Sequence, residues 1–270
     1  MDEPMTHGPL HGVRILEFAG LGPTPFAAMT LCDMGAEVVR IERPGAVPLI
    51  PQDVDYLNRG RGFVTIDLKS PDGIATARAL AGQADGLIEG MRPGTMERLG
   101  LGPEELLTIN PRLVYGRMTG WGQNGPRALT AGHDINYIGL TGMLHAIGGE
   151  HPVVPLNLLG DFGGGGIYLA YGLVCALFHS QRSGQGQVVD AAITDGVSHM
   201  ATMIHSLYRS GQWKDRRQSN LLDGAAPFYT IYQCACGGYL AVGAIESKFW
   251  EKLLSRLNLT DMPPQMSTRD

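Results

Sequence analysis

A histidine and two carboxylates lie in sequence contexts that suit proton transfer. Gly132 precedes His133 and Asp134, and Asp161 stands just before the four consecutive glycines at positions 163–166. Enzymes move protons to and from carbon with imidazole and carboxyl groups whose pKa values lie near the working pH. We therefore expect His133 and Asp161 to act at the carbon beside a carbonyl group. The alternative is structural, since Asp134 and Asp161 each suit the start of a helix as capping residues.

The glycine run extends this hypothesis. Because glycine lacks a side chain, the N–H groups of a first helical turn at 163–166 can approach a substrate oxygen closely. Such donors stabilise the negative oxygen that forms when an α-proton leaves. We accordingly place Gly163 and Gly164 in the region that binds the acyl group and its oxyanion.

Several arginines follow predicted strands, where an α/β protein gathers its ligands. They are Arg40, Arg43, Arg61, Arg92 and Arg98. Guanidinium groups bind phosphate and carboxylate oxygens in pairs of hydrogen bonds, so the set predicts an anion-binding patch. Ordinary solvated surface charge is the alternative for any single member.

Short apolar segments alternate with helical segments through most of the chain. The predicted strands are 13–18, 37–41, 63–67, 86–89, 113–117 and 187–191, and the predicted helices are 25–34, 70–80, 135–144, 163–181 and 195–210. Strands separated by helices form parallel sheets that bind ligands at the carboxyl ends of the strands. The sequence therefore predicts an α/β fold with a doubly wound parallel sheet.

The alternation of strand-like and helical segments ends near residue 223. Two strand-like segments, 228–233 and 239–243, flank the turn Gly237-Gly238 and predict a β-hairpin. We divide the chain into a large domain at 1–190, a helical linker at 191–222 and a smaller, partial α+β domain at 223–270.

Composition excludes several classes of protein. With 270 residues, 44% hydrophobic and 17% charged, the chain should fold around a substantial core. Its net charge of -5 predicts no nucleic-acid partner. The most apolar run, 167–178, is too short to cross a bilayer, so we expect no membrane association.

No motif predicts a metal or a nicotinamide cofactor. Cys234 and Cys236 lack the second ligand pair of a zinc site, and the four cysteines of the chain are expected to be reduced thiols of a cytoplasmic protein. Gly20-Leu21-Gly22-Pro23 lacks the third glycine of a dinucleotide fingerprint, and prolines interrupt the following helix start.

Taken together, six segments resemble the α-methylacyl-CoA racemases of the class III CoA-transferase family, and the resemblance extends over essentially the whole chain. The segments are 31–40, 89–94, 131–137, 155–161, 222–229 and 241–246. The resemblance implies a Rossmann-like large domain, a small domain and two chains interlocked as a homodimer. The substrate would be an acyl-CoA thioester, with coenzyme A as its carrier portion and no separate cofactor.

The resemblance also implies roles for individual residues. His133 and Asp161 correspond to two bases on opposite faces of the α-carbon, and Glu246 corresponds to a glutamate that hydrogen-bonds the histidine. The five arginines named above fall where the family lines its CoA site, and Tyr229 joins the acyl region. For both bases to work, burial must raise the pKa of Asp161 against the opposing effect of a helix start.

Two alternatives stay open. Related CoA transferases use an aspartate at the position of Asp134 as a nucleophile, and this chain retains it. The chain could also be an inactive CoA-binding fragment, because relatives continue beyond the position of Asp270. A truncated small domain would expose apolar surface and reduce stability unless a dimer covers it.

Overall fold

Six parallel strands form the main sheet in the computed structural model, which describes residues 7–259, 262 and 265. The strands are β1 (Arg14–Phe18), β2 (Glu37–Glu42), β3 (Gly62–Thr65), β4 (Gly86–Glu89), β5 (Val114–Thr119) and β6 (Gln187–Ala192). Their order across the sheet is β3-β2-β1-β4-β5-β6, and every neighbouring pair is parallel. The predicted α/β class and parallel sheet are confirmed.

The central strands carry the core. Every residue of β4 is buried, as is β1 from Ile15 to Phe18. Leu16, Leu87 and Tyr115 pack in one apolar cluster between the sheet and the helices beside it. Continuous apolar runs of this kind are typical of parallel strands that are covered on both faces, which is why the sequence pattern located them.

Helices connect the strands. In the first part of the chain they are α1 (Pro23–Asp33), α2 (Pro71–Ala81), α3 (Thr95–Arg98), α4 (Pro103–Ile109), α5 (Asp134–Leu140) and α6 (Met143–Ala146), with a short 3₁₀ turn at Tyr56–Asn58. Ser70 caps α2, because its hydroxyl oxygen accepts the Gly73 N–H at 3.0 Å, and Pro71 occupies the first turn. The predicted cap is confirmed.

A π-helix replaces the predicted start of the long apolar helix. It spans Leu158–Ile167 and continues into α7 (Tyr168–Ser183). The predicted start at Gly163 is wrong, and the glycines lie inside the helix, where a π-helix pairs each N–H with the carbonyl five residues earlier. They allow close packing instead: a Cβ at position 164 would lie 2.5 Å from Val197 Cγ2, and one at position 165 would lie 2.9 Å from Pro23 Cβ.

The π-helix and α7 together form one apolar segment, Leu158–Ser183, of 26 residues, whose most apolar window of 18 residues has a mean hydropathy of 1.3. Its length and composition would suffice to cross a membrane, and 44% of its most apolar window is buried within the protein. The predicted apolar run at 167–178 is thus part of a longer segment. Buried core helices pass the same test of length and composition.

Two other predicted helices are each divided into two. The segment predicted at 195–210 forms α8 (Ile193–Met200) and α9 (Thr202–Arg209), which are separated at Ala201. The segment predicted at 135–144 ends at Leu140, and Gly142 has a φ of 82° before α6 begins, a conformation that favours glycine. Asp134 is the first residue of α5 rather than its cap.

The chain divides into two units: residues 1–140 with 156–200, and residues 141–155 with 201–270. The second unit contains the antiparallel hairpin β7 (Tyr229–Gln233) and β8 (Tyr239–Gly243), which confirms the predicted hairpin, and α10 (Ser247–Arg256). Phe228 and Trp250 pack edge to face in its core, with ring centroids 6.1 Å apart. The predicted boundaries at 190 and 222 remain predictions, and positions 260, 261, 263, 264 and 266–270 lie outside the described residues.

Replacing Gly196 should destabilise the first unit. A Cβ at position 196 would overlap the carbonyl oxygen of Gly164, which belongs to the backbone of the π-helix and cannot rotate away. We expect Gly196→Ala to lower the free energy of unfolding by about 3 kcal/mol, measured by urea denaturation. Gly62→Ala is the control, because the nearest atoms to its Cβ lie 3.9 Å away, and it should change that free energy by less than about 0.5 kcal/mol. Equal effects would contradict the proposed packing.

Candidate active site

The topology places two loops side by side at the carboxyl ends of the central strands. β1 and β4 are neighbours, but the chain leaves β1 towards β2 on one side and continues from β4 towards β5 on the other. The loops after these strands, 19–22 and 90–94, therefore flank the switch point of the sheet. Doubly wound proteins bind ligands in the crevice at this point.

His133 is held by its backbone, and its side chain is exposed. It immediately precedes α5, and its N–H donates to Asn136 Oδ1 at 3.0 Å, as in a capping box. The Tyr137 hydroxyl donates to the Gly132 carbonyl at 2.5 Å, and the Tyr137 ring packs edge to face on Trp121 at 4.6 Å. The segment around the imidazole is thus fixed while the ring stays accessible.

Asp134 joins α5 to the start of the π-helix. The Asp161 N–H donates to Asp134 Oδ2 at 2.6 Å, and Gly160 leaves no room for a side chain beside the same oxygen. Asp134 is buried, and its Oδ1 has no hydrogen-bond partner in the described structure. A helix start leaves backbone N–H groups without partners inside the helix, and Asp134 accepts one of them.

Asp161 is harder to ionise than a solvated aspartate. Burial and, after it, the negative charge of Asp134 raise its pKa above the ordinary value of 3.8. The Asn157 amide, which donates to Asp161 Oδ2 at 3.4 Å, and the charge of His133 act in the opposite direction. The expectation that burial raises the pKa of Asp161 is confirmed. The influence of His133 also shows that the two side chains share one region.

Tyr137 and Arg92 belong to the same region. Burial and the nearby charge of Asp161 raise the pKa of Tyr137, whereas the charge of Arg92 lowers it. Arg92 lies in the loop after β4, and that loop is shaped by Glu89, whose Oε2 accepts the Met91 N–H at 2.6 Å. A cation from the loop after β4 thus lies near Tyr137.

The five arginines divide into two groups. Arg40 and Arg61 are each only 8% exposed and share the buried carboxylate of Glu17. The other three, Arg43, Arg92 and Arg98, are exposed on the surface. Exposed guanidinium groups can meet a ligand directly, whereas the buried pair is bonded within the protein.

Sequence reasoning missed two buried glutamates that pair with arginines of the sheet and its loops. Glu17 and Glu89 are both fully buried, and Glu89 Oε1 accepts the Arg117 Nε–H at 2.9 Å. Burial raises the pKa of Glu89, and the bonds from Met91 and Arg117 oppose that effect. A charged residue within an apolar strand was the available signal, because such a residue must be paired when buried.

Glu246 and Tyr229 lie in the second unit. Glu246 is exposed, and its backbone carbonyl begins α10 by accepting the N–H groups of Phe249 and Trp250 at 2.9 and 3.1 Å. Tyr229 is half-buried at the start of β7. Their predicted roles beside His133 and the acyl group remain predictions.

Among residues 7–259, 262 and 265, no group of three or more histidines, cysteines and carboxylates is arranged to hold a metal ion. Cys234 and Cys236 are exposed free thiols, and Cys32 and Cys175 are also free.

The fold and the site define a doubly wound α/β protein with acid–base groups near the switch point of its sheet. Residues 10–270 match the sequence model of CoA-transferase family III. The chain therefore belongs to CoA-transferase family III.

Individual relatives fall into two reaction classes. Mouse and human α-methylacyl-CoA racemases are each 47% identical over 265 residues, covering 97% of this chain and 68% of the relative. Mouse succinyl-CoA:glutarate CoA-transferase is 31% identical over 268 residues, covering 94% of this chain and 61% of the relative. A crystal structure of a CAIB/BAIF family protein from Brucella suis superposes with a TM-score of 0.79 at 29% identity, covering 94% of this chain and 70% of that one.

Stability should depend on pH through Asp161. Its pKa is raised, first by burial, so the folded protein binds this proton more tightly than the unfolded chain does. The resulting stabilisation is complete below the ordinary pKa of 3.8 and is lost as the pH rises through the raised pKa. Because an amide cannot ionise, Asp161→Asn should raise the free energy of unfolding at neutral pH relative to the wild type, and this gain should vanish in acid.

Urea denaturation at a series of pH values measures this difference. Asp53→Asn is the control, because it removes a carboxylate that is exposed, and it should not stabilise the protein at neutral pH. A variant Asp161→Asn that is less stable than the wild type at neutral pH would show that the ionised carboxylate is well solvated or well paired.

Proposed function

We propose that the protein is an isomerase that interconverts the two epimers of 2-methylacyl-CoA thioesters. The identity of 47% with two α-methylacyl-CoA racemases over 97% of the chain supports this reaction class. The environment of Asp161 is the observation that supports the mechanism. Asp161 is half-buried, burial and then the charge of Asp134 raise its pKa, and the charge of His133 lowers it. An acid and a base of comparable strength are what a two-base epimerisation requires.

The reaction proceeds by proton transfer across the α-carbon. In one direction neutral His133 removes the α-proton, and protonated Asp161 delivers a proton to the opposite face of the enolate. In the other direction ionised Asp161 removes the proton and the imidazolium of His133 delivers one. Each turnover leaves the two groups in exchanged protonation states, and solvent restores them.

The protonation states needed for the first direction suit the site. A buried carboxyl group next to Asp134 stays protonated more readily than a solvated one, which favours Asp161 as the acid. His133 is exposed, so its ring can reach both substrate and solvent. The inner position of Gly163 and Gly164 means that their N–H groups are not first-turn donors for the enolate oxygen.

The acyl-CoA substrate is proposed to bind at the carboxyl ends of the parallel strands. The exposed Arg43, Arg92 and Arg98 are the cations available for the phosphate groups of coenzyme A. Arg40 and Arg61, bonded to Glu17, would form the wall behind them. Coenzyme A remains the carrier portion of the substrate, and the proposal uses no other cofactor. We propose a cytoplasmic setting, as the four free thiols suggest.

Removing either base should abolish epimerisation. His133→Ala and Asp161→Ala should each lower the rate at least about 100-fold, since general acid–base groups contribute at this scale. The measurement is the conversion of (R)- into (S)-2-methylacyl-CoA and the reverse conversion, followed by NMR. His11→Ala, which removes an exposed histidine just before β1, should leave the rate unchanged. Epimerisation that survives intact in either base variant would refute the two-base assignment.

CoA transfer is the second candidate function, because Asp134 Oδ1 has no hydrogen-bond partner and could serve as a nucleophile. The burial of Asp134 and the bond at its other oxygen favour a structural role instead. Incubation with an acyl-CoA and an isotopically labelled free acid separates the two functions. Label that enters the thioester would establish transfer, and exchange at C2 without such label supports the isomerase.

We further propose that the chain forms a homodimer, interlocked as in the family, in which the second unit of one chain completes the site of the other. An exposed apolar stripe on one helix supports association: Ile167, Tyr171, Val174 and Phe178 are each at least 40% exposed. Their spacing of four, three and four residues places them on one face of the helix. An apolar face of this kind is typical of a helix that packs against another chain.

Introducing a negative charge into this apolar stripe should weaken the dimer. Phe178→Glu should raise the dimer dissociation constant at least about tenfold, because it places a carboxylate in an apolar contact. Analytical ultracentrifugation over a range of concentrations measures that constant. His179→Glu is the matched control, since it adds the same charge one residue away and off the stripe. A wild-type chain that sediments as a monomer, or equal effects of the two variants, would contradict the proposal.

A further inference from the structure

Glu17 forms the centre of a charge network at the carboxyl end of β1. The residue is fully buried, and Oε1 accepts Arg40 Nη1–H at 2.6 Å while Oε2 accepts a hydrogen bond from Arg61 Nη1. A carboxylate that is removed from water requires such partners, and both of its oxygens are used. The network therefore fixes the guanidinium groups of two arginines from neighbouring strands and loops.

Arg40 connects this network to the loop after β1. Its Nη2–H donates to the Gly20 carbonyl at 3.3 Å, and its Nε–H donates to Glu42 Oε1 at 3.1 Å. Because the guanidinium group is planar and rigid, these contacts and the bond to Glu17 set its orientation together. The loop of residues 19–22 is thereby tied to β2 through a side chain and not only through its own backbone.

The same loop lies directly against Asp161. Gly22 has a φ of 64°, and a Cβ at this position would lie 2.7 Å from Asp161 Oδ2 and 3.2 Å from its Cγ. Helix α1 continues the contact, since the rings of Phe26 and Phe162 stack with centroids 4.3 Å apart. A displacement of the loop would therefore change the space in which the carboxyl group of Asp161 sits.

We propose that Glu17 and Arg40 are positioning residues for the proton transfer that Asp161 performs. The chain of contacts runs from Glu17 through Arg40 to Gly20, and Gly22 of the same loop lies against the carboxyl group. Neither side chain needs to touch the reacting atoms. This inference rests on the proposed two-base function. It adds that Glu17 and Arg40 hold the loop that positions one of the two bases, Asp161.

The two bases can be followed separately by isotope exchange. In a two-base site each base removes the α-proton of one enantiomer, so the exchange of deuterium into (R)- and (S)-2-methylacyl-CoA reports on the two bases individually. Asp161→Asn identifies the enantiomer whose exchange depends on Asp161. Measurements at saturating substrate remove any effect of Arg40 on the binding of coenzyme A.

Arg40→Lys is the principal variant. A lysine can still pair with Glu17, but it lacks the second nitrogen that reaches the Gly20 carbonyl. We expect the exchange that depends on Asp161 to fall about tenfold relative to the exchange of the other enantiomer, because small displacements of a catalytic group are costly. Glu17→Gln should shift the same ratio in the same direction and serves as a second variant.

Glu89→Gln is the matched control. It removes the charge of an equally buried glutamate, which pairs with Arg117 on the neighbouring strand. Glu89 also accepts the Met91 N–H and so shapes the loop 90–94, whereas the loop that lies against Asp161 is 19–22. This variant should lower the exchange of both enantiomers by the same factor. A wild-type protein that exchanges neither enantiomer would overturn the proposed function. If the wild type exchanges both but Arg40→Lys and Glu17→Gln leave their ratio unchanged, the positioning role alone is wrong.

Discussion

The candidate site depends on one main-chain hydrogen bond, from the Asp161 N–H to Asp134 Oδ2 at 2.6 Å. The bond joins the first residue of α5 to the first turn of the π-helix, and so it sets the separation of the segments that carry His133 and Asp161. Gly160 makes it possible, because a larger residue would displace the Asp134 carboxylate. Asp134 thus has a structural function whether or not it takes part in chemistry.

The same contact also determines the chemistry of Asp161. A carboxylate close to a second carboxyl group makes that group harder to ionise, and burial adds to the effect. Asp161 therefore keeps its proton to a higher pH than a solvated aspartate does. The relatives of this chain include both racemases and CoA-transferases.

Much of the fold was accessible from the sequence, for identifiable reasons. The buried strands are continuous apolar runs, Ser70-Pro71 marks a helix start, and Gly237-Gly238 marks a hairpin turn, so each signal is local. The network of Glu17 was not accessible, because its two arginine partners lie 23 and 44 residues away and only the folded sheet brings them together. The π-helix was also missed, since an apolar, glycine-rich segment looks the same in both kinds of helix until hydrogen bonds are assigned.

The π-helix makes the orientation of Asp161 relative to α7 depend on the number of residues between them. A π-helical turn contains about one residue more than an α-helical turn, and each residue of an α-helix turns the chain by about 100°. Losing a single glycine from 163–166 could convert the segment to an ordinary α-helix and rotate Asp161 away from α5 while α7 keeps its packing. The run is therefore constrained in two ways, in its number of residues and in its lack of side chains, since a Cβ at position 164 or 165 would lie within 2.9 Å of Val197 or Pro23.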